Sequence, residues 1–513
     1  MKIVFRVDAS STIGTGHVVR CLTLAKALHE RNVEVSFICR EHDGHLCELI
    51  TKNSYTVNRL PVHCTSFKTE NTLAHSAWLG TKWEVDASET KAVIETMGDK
   101  PDWLIVDHYA IGSRWESVLR TFVQRIMVID DLADREHDCD LLLDQNLVAE
   151  MHTRYVNKIS ASCGILLGPS YALLQSIYEE MYNHVLPRKG PIRRIFIFFS
   201  GTSNNILTEQ AIAVFLSLNR PDIEVDVVVP YSQLESIRER VVNCPNIYLH
   251  SALSTLAPLI AKADLAIGAS GAASWERLCL GLPTLAVSLA ENQRPIAEEL
   301  DRQGLIHYLG NIDTVDSIII AQELKKLVQQ DLDENWSVRC AAKVDGKGAN
   351  RVCTILMVTS KTPLIARNAG LKDEAFLLEW ANDQTTRQNG FSFEKISVET
   401  HRNWFRSRLS NLERFRFYIV ETEDGLPIGQ VRFERQGAVW EIHYSLALVF
   451  RKRGLGRCLL NTAMQKLRDE HVKALIFGRV KEGNLSSRKV FESLGFDEMS
   501  DLSNMVVQYW REL

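Results

Sequence analysis

A histidine stands at the point where a glycine loop turns into a helix. The stretch Ser10-Ser-Thr-Ile-Gly-Thr-Gly-His-Val-Val-Arg-Cys21 follows the apolar run Ile3-Val4-Phe5 and leads into the helical pattern Leu22 to Leu28. Gly14 and Gly16 let backbone approach a ligand, and N–H groups at a helix start attract phosphate. The same helix dipole disfavours an imidazolium, so a histidine there is expected to stay neutral, as a general base must. The local residues leave two readings open for His17: a base, or a side chain that only caps the helix. The loop is not G-x-G-x-x-G, which argues against a dinucleotide site.

Two further loops carry matching signals. Asp264-Leu-Ala-Ile-Gly-Ala-Ser-Gly-Ala-Ala-Ser-Trp-Glu276 reads as strand, small-residue loop and first helical turn. Ser270 and Gly271 leave room for a diphosphate, and Glu276 could accept from ribose hydroxyls, or the small residues could serve tight helix–sheet packing. Phe199-Ser-Gly-Thr-Ser-Asn204 is a third glycine turn after a strand. Three such loops at strand C-terminal ends point to one crevice between two α/β lobes. Near the C-terminus, Arg451-Lys-Arg-Gly-Leu-Gly-Arg457 opens another helix. Its glycines bring backbone N–H groups toward a pyrophosphate, and Arg451, Arg453 and Arg457 add charge.

Elements that would position these loops alternate along the chain. Strands are expected at Ile3–Val7, Val33–Ile38, Trp103–Val106 and Arg125–Ile129. A second series is expected at Ile195–Phe199, Glu224–Val229, Ile247–Leu249, Leu265–Ile267 and Thr284–Val287. Short continuous apolar runs fit strands buried on both faces of parallel sheets. Proline and glycine in Leu186-Pro-Arg-Lys-Gly-Pro191 separate the two series, and a second break falls at Thr359-Ser-Lys-Thr-Pro363. Beyond it, helices at Asp373–Asn382 and Val398–Leu409 precede strands at Phe417–Glu421, Ile428–Glu434, Ala438–Ser445 and, after the basic loop, Ala474–Arg479. The expected fold is α/β, with Rossmann-like domains at 1–187 and 188–358 and a third domain at 363–513.

The chain of 513 residues has a formal net charge of −5, which argues against general nucleic-acid binding. Its 11 cysteines form no C-x-x-C, so metal clusters and disulfide frameworks are not expected. The start is charged too early for a signal peptide, and no apolar run reaches the roughly 20 residues of a membrane helix. The expectation is a cytoplasmic protein that engages neither nucleic acid nor membrane; these patterns leave its oligomeric state open.

The N-terminal part resembles the sugar-nucleotide hydrolase of pseudaminic acid biosynthesis, a relative of the GT-B glycosyltransferases. The resemblance rests on Arg6-Val-Asp-Ala-Ser10 with Gly14–Cys21, Val106-Asp-His-Tyr109, Ile129-Asp-Asp131, Gly168-Pro-Ser-Tyr-Ala-Leu-Leu174, the Ser270–Glu276 loop, Glu291-Asn-Gln293 and Asp345-Gly-Lys-Gly348. It implies a GT-B-like pair of lobes. It also implies removal of UDP from UDP-2,4-diacetamido-2,4,6-trideoxy-β-L-altropyranose by water at C1, with inversion and without a metal. His17 would be the base. Gly14, Gly16, Arg20, Asp107, Tyr171, Ser270, Gly271, Glu276 and Asn292 would line the substrate. Asp107, Asp130 and Asp131 could orient His17 or the sugar, or merely end their strands. Where the family shows Gly-Gly-Ser-Asp, this chain has Ser200-Gly-Thr-Ser-Asn204.

The tail resembles the GNAT acetyltransferases. Arg451-x-x-Gly-x-Gly456 is followed by Asn484-Leu-Ser-Ser-Arg-Lys-Val-Phe-Glu-Ser-Leu-Gly-Phe496. That resemblance implies acetyl-CoA as cosubstrate, held by Arg451, Arg453, Gly454, Leu455, Gly456, Arg457 and Asn484. Phe376-Leu-Leu-Glu-Trp-Ala-Asn-Asp383, Arg387-Gln-Asn389 and His401-Arg-Asn-Trp404 are similar to the N-acetyltransferase of the same pathway, which acetylates the 4-amine of the UDP-linked sugar. Many GNATs carry tyrosine where this chain has Phe491, so water or another side chain must protonate the CoA thiolate. Glu441 and His443 are the candidates to deprotonate the amine. The rival readings are a GT-B glycosyltransferase, and a nucleotide-sugar sensing module fused to a protein acetyltransferase.

Overall fold

The computed structural model describes residues 1–63, 74–199, 206–470, 474–501 and 505–513. The Ser200–Asn204 turn therefore lies outside the described residues. The chain forms two compact units: Met1–Ser160 with Leu166–Cys353, and Ala161–Ile165 with Thr354–Leu513. No described helix is long and apolar enough to cross a membrane.

The first unit holds two sheets. One runs in the order Thr56–Leu60, Glu34–Arg40, Lys2–Val7, Trp103–Asp107, Ile126–Ile129, Leu141–Asp144, Gly164–Leu167. It is parallel from its first strand through Leu141–Asp144. The other is wholly parallel, in the order Ile247–His250, Glu224–Val228, Arg194–Phe198, Leu265–Ala269, Thr284–Ser288, His307–Asn311. Each is a doubly wound, Rossmann-like sheet whose order reverses beside its first strand. In such sheets the crevice for a ligand opens at that reversal, beyond the strand C-termini. In the first lobe the reversal falls between Lys2–Val7 and Trp103–Asp107, so the loop carrying His17 and the end carrying Asp107 are neighbours by topology. In the second it falls between Arg194–Phe198 and Leu265–Ala269, and the Ser270 loop leaves from there.

Continuous apolar runs make the central strands. Ile3, Val4 and Phe5 are fully buried, as are Trp103, Leu104 and Ile105. The helix Gly16–His29 buries Val18, Cys21, Leu24, Ala25 and Leu28, the i, i+3, i+4 spacing of a single inward face. The strand expected at Val33–Ile38 continues to Arg40, because that arginine is buried against Asp86 and Glu89 rather than left for solvent. Edge strands escape the apolar-run criterion. Thr56–Leu60 alternates polar residues, and His307–Asn311 is only half buried.

The chain closes the first unit by returning to the first lobe. In the helix Gly348–Met357, Asn350 accepts from Arg31 at 2.9 Å, and the Cys353 thiol approaches the Leu24 carbonyl at 3.9 Å. Gly346 and Gly348 allow this approach. A Cβ on Gly348 would sit 2.1 Å from the Ala172 carbonyl oxygen, and one on Gly346 would sit 2.6 Å from the Glu179 nitrogen. The Asp345-Gly-Lys-Gly348 motif thus packs the crossing helix against the 168–182 segment.

The second unit is a seven-stranded mixed sheet, ordered Leu364–Asn368, Phe415–Thr422, Pro427–Gln436, Val439–Leu446, Leu475–Lys481, Val506–Glu512, Asp497–Asp501. Its one parallel pair joins Val439–Ile442 to Leu475–Gly478. The predicted helix Val398–Leu409 is present, and the other begins at Glu374. The terminal edge strands were not expected from the sequence. Leu364–Asn368 is at most half buried and starts directly after a proline.

The crossing helix has no room for added volume at Gly348. Gly348→Ala should lower unfolding stability by about 1–3 kcal/mol. Gly16→Ala, where a Cβ meets nothing within 4 Å, should change it by less than about 0.5 kcal/mol. Urea unfolding of the two variants checks this.

Candidate active sites

The His17 ring sits at the first sheet's reversal point. Its Nδ1 lies 2.6 Å from Asp107 Oδ1, with the histidine side chain 9% exposed and the aspartate fully buried. Three residues on, the same helix face brings Arg20, whose Nε and Nη2 each donate to Asp107 at 2.6 Å. Arg20 Nη1 donates to Asp131 at 2.9 Å, and the Tyr109 hydroxyl donates to the other oxygen of Asp131. Burial pushes the Asp107 carboxyl up, but Arg20 and His17 outweigh it and hold the group well below the usual carboxylate range. Nδ1 also lies 3.2 Å from Arg20 Nη2, and the tautomer that donates Nδ1–H to the closer, ionised Asp107 is the one that carries its lone pair on Nε2. Tyr109 meets the imidazole edge-on at 4.5 Å, and Trp78 stacks on Tyr109 at 5.6 Å.

The three aspartates of the sequence reading separate. Asp107 and Asp131 join the His17 set. Asp130 does not: it pairs with Arg135 at 2.9 Å and accepts from the Ala133 N–H, so it fixes its own loop. Beneath the site, Arg6 is bidentate to Asp8 at 2.6 and 2.9 Å and reaches Asp86 at 2.7 Å. Asp8 also accepts the Arg40 backbone N–H at 2.7 Å. All four side chains are fully buried, and each charge has an opposite partner, which burial demands. Arg6 and Asp8 thus belong to a buried charge set at the C-terminal end of the first strand.

In the second lobe Ser270 does not line the substrate as expected. Its N–H and its hydroxyl both point to the Val287 carbonyl, at 3.0 and 3.4 Å, and the residue is fully buried. Ser270 anchors the loop and keeps no donor for a ligand. Gly271 follows, half buried, and the Gln293 amide packs against it: a Cβ there would lie 3.2 Å from Gln293 Nε2. Asn292, the neighbour singled out in sequence, is exposed beside it. Gln293 was missed because its tie to Gly271, and the 2.9 Å bond it accepts from the Leu289 N–H, have no sequence signature. Glu276 is half buried, and burial raises its carboxyl to about 7, against a weaker downward pull from Tyr178. Tyr171 ends the short turn Pro169–Tyr171 beside the close approach of Gly348.

The second unit contains a cavity of about 920 Å³. It opens where the parallel strands part beyond Ile442 and Gly478. Gly454, Leu455, Gly456, Arg457 and Asn484 line it, as do Arg451 and His443. Gly454 has φ +73°, which only glycine adopts without strain, and begins the helix Leu455–Asp469. Gly456 permits helix contact, since a Cβ would come 2.8 Å from Val490. Asn484 Oδ1 caps the helix Leu485–Ser493 through the Ser487 N–H at 3.2 Å.

Two arginines of the loop depart from expectation. Arg453 is buried and donates to the Ile355 carbonyl, so it faces inward and is not a ligand contact. Arg451 pairs with Asp383 at 2.6 Å and donates to Thr386 at 2.9 Å, clamping the loop to the helix Gln384–Asn389. Glu441 is also redirected. Burial raises its carboxyl, but His443 and Arg479 outweigh this and hold it at about 2. With Arg479 Nε at 2.6 Å, it is too weak a base for an amine. His443 lies 3.7 Å from Glu441 and, unlike it, stands in the cavity wall. Elsewhere on that wall, Arg387 Nε, His401 Nδ1, Gln430 Oε1 and Arg432 Nε are buried without hydrogen-bond partners.

These two folds define the class: a GT-B-like pair of Rossmann lobes in one unit and an acetyltransferase fold in the other. Residues 364–497 match the acetyltransferase (GNAT) domain family, and the C-terminal part is such a domain. The N-terminal part is homologous to the UDP-2,4-diacetamido-2,4,6-trideoxy-beta-L-altropyranose hydrolase of Campylobacter jejuni. The two are 25% identical over 309 residues, which is 59% of this chain and 97% of that one. An uncharacterized protein of Methanocaldococcus jannaschii is 21% identical across 97% of this chain and 96% of its own. MurG of Acinetobacter baumannii is 14% identical with a TM-score of 0.49, over 69% of this chain and 98% of that one.

Glu276 makes the stability of the fold depend on pH. Its folded carboxyl, at about 7, lies above its ordinary value of 4.5, so the folded state holds a proton that the unfolded chain has released. Glu276 thus stabilises the fold below pH 4.5, and that contribution is lost as pH rises to about 7. Glu276→Gln should flatten the stability curve across this window, measured as the difference in urea unfolding between the two proteins.

Proposed function

We propose that residues 1–358 release UDP from UDP-2,4-diacetamido-2,4,6-trideoxy-β-L-altropyranose, and that residues 363–513 first acetylate the 4-amine of its UDP-linked precursor with acetyl-CoA. The observation that carries the first half is the His17–Asp107–Arg20 set at the sheet reversal. His17 Nε2 takes a proton from water, the water oxygen bonds to C1, and the C1–O bond to the diphosphate breaks. The electron pair leaves with UDP, and attack opposite the leaving group inverts C1. Asp107 keeps the imidazole in the working tautomer. Gly14, Gly16, Tyr171, Gly271, Glu276 and Asn292 face the substrate, Glu276 toward ribose. The homology to the Campylobacter hydrolase along 97% of its length supports this assignment.

In the acetyltransferase unit, the Gly454–Arg457 turn and Asn484 hold CoA, and His443 accepts the amine proton while Glu441 and Arg479 orient it. The buried, unpartnered polar atoms of Arg387, His401, Gln430 and Arg432 support an acceptor rich in oxygen, such as a nucleotide sugar. The two steps are consecutive, because the acetylated product of one unit is the substrate of the other.

Mass spectrometry of products from UDP-4-amino-4,6-dideoxy-N-acetyl-altrosamine tests the assignment. With acetyl-CoA and no sugar acceptor, the expected products are equal amounts of UDP and free diacetamido sugar. Intact UDP-sugar in every arm would contradict it. His17→Ala should slow UDP release by about 10²–10⁴-fold, the range of general-base help.

A further inference from the structure

Acetyl transfer expels CoA as a thiolate, and a thiolate that forms in a partly enclosed cavity needs a proton or a strong donor. Phe491 supplies neither. It is 1% exposed, stacked on Tyr509 at 5.2 Å, and pressed against Gly478, where a Cβ would lie 2.3 Å from its Cζ. Gly478 and Ile442 are the last paired residues before the parallel strands part, so Phe491 marks the apex of that opening. Tyr444 lies two residues beyond Ile442 on the same strand. Among the described residues lining the cavity it carries the sole phenol. Its ring meets Phe491 edge-on at 6.0 Å, and its hydroxyl is 3.0 Å from Ser487 Oγ, in the first turn of the helix that Asn484 caps.

We propose that Tyr444 is the general acid of acetyl transfer, its hydroxyl protonating the CoA sulfur as the thioester breaks. This rests on the acetyltransferase reading of the C-terminal unit. The amine nitrogen bonds to the acetyl carbon, the C–S bond breaks, and its electron pair goes to sulfur. Tyr444 gives sulfur its proton, His443 receives the amine proton, and water restores both groups after CoA leaves. Ser487 holds the phenol in place between turnovers. Burial raises the phenol to about 12, so it stays protonated at neutral pH but is a weaker acid than a free phenol, and it gives up its proton only as negative charge gathers on sulfur.

Two measurements on the full chain test this. Tyr444→Phe should lower kcat for CoA release by about 10²-fold while KM for acetyl-CoA stays close to wild type, the signature of a contact made only in the transition state. Independently, CoA alone is bound and its thiol titrated by thiolate absorbance. Tyr444→Phe should move that midpoint upward, because a donor to sulfur has been removed, and retained CoA binding shows that the variant is folded. Ser487→Ala should give a smaller loss of the same kind. An unchanged kcat, or a lost kcat with an unmoved thiol midpoint, overturns the proposal. Wild-type protein that shifts the CoA thiol through Tyr444 yet leaves the amino sugar unacetylated overturns the acceptor assignment instead. Failure of the wild type to bind CoA overturns both.

Discussion

A carboxylate buried as deeply as that of Asp107 stays ionised only where cations reach it, and this requirement organises the first lobe. Arg20 supplies the cation, and His17, three residues away on the same helix face, reaches the same carboxylate through Nδ1. The helix can present them only because its loop leaves the sheet beside Trp103–Asp107, at the strand-order reversal. Asp131 then neutralises the remaining arm of Arg20, and Tyr109 bonds to Asp131 while its ring walls the imidazole. Placement and orientation of one histidine thus follow from a single buried charge.

The same economy recurs elsewhere. Arg6, Asp8, Asp86 and Arg40 form a buried set of charges that Glu89 extends, and each of them has an opposite partner. In the second unit, space rather than charge is the constraint. The parallel strands separate once their four-residue pairing ends, Gly454 turns the chain at positive φ, and Gly456 lets two helices touch. A cavity results whose wall carries polar atoms that the protein itself does not satisfy.

Much of this was legible in the sequence, for identifiable reasons. Continuous apolar runs located most of the central strands because both faces of a parallel sheet are buried, although the equally buried Leu141–Asp144 was not among those expected. Glycine loops ahead of helices located His17 and the Gly454 turn, since few other residues accept such backbone. Side-chain direction was not legible. Ser270 and Arg453 sit in the right loops yet turn inward, one to Val287 and the other to Ile355. Arg451 reads as a free charge but pairs with Asp383, 68 residues earlier. Glu441 reads as a base but is committed to Arg479. Edge strands such as Thr56–Leu60 lack the apolar run because one side meets solvent. Each misread side chain depends on a long-range partner, which spacing along the chain does not encode.

The central claim is that Asp107 holds His17 with its lone pair on Nε2 toward the reacting water. Replacing Asp107 by asparagine keeps the shape and removes the charge, and the amide nitrogen can then impose the other tautomer. Turnover of UDP release by Asp107→Asn, measured beside UDP affinity, tests the claim most directly. The account predicts a fall in kcat of at least about 10²-fold with UDP affinity retained. Wild-type turnover in Asp107→Asn would contradict it.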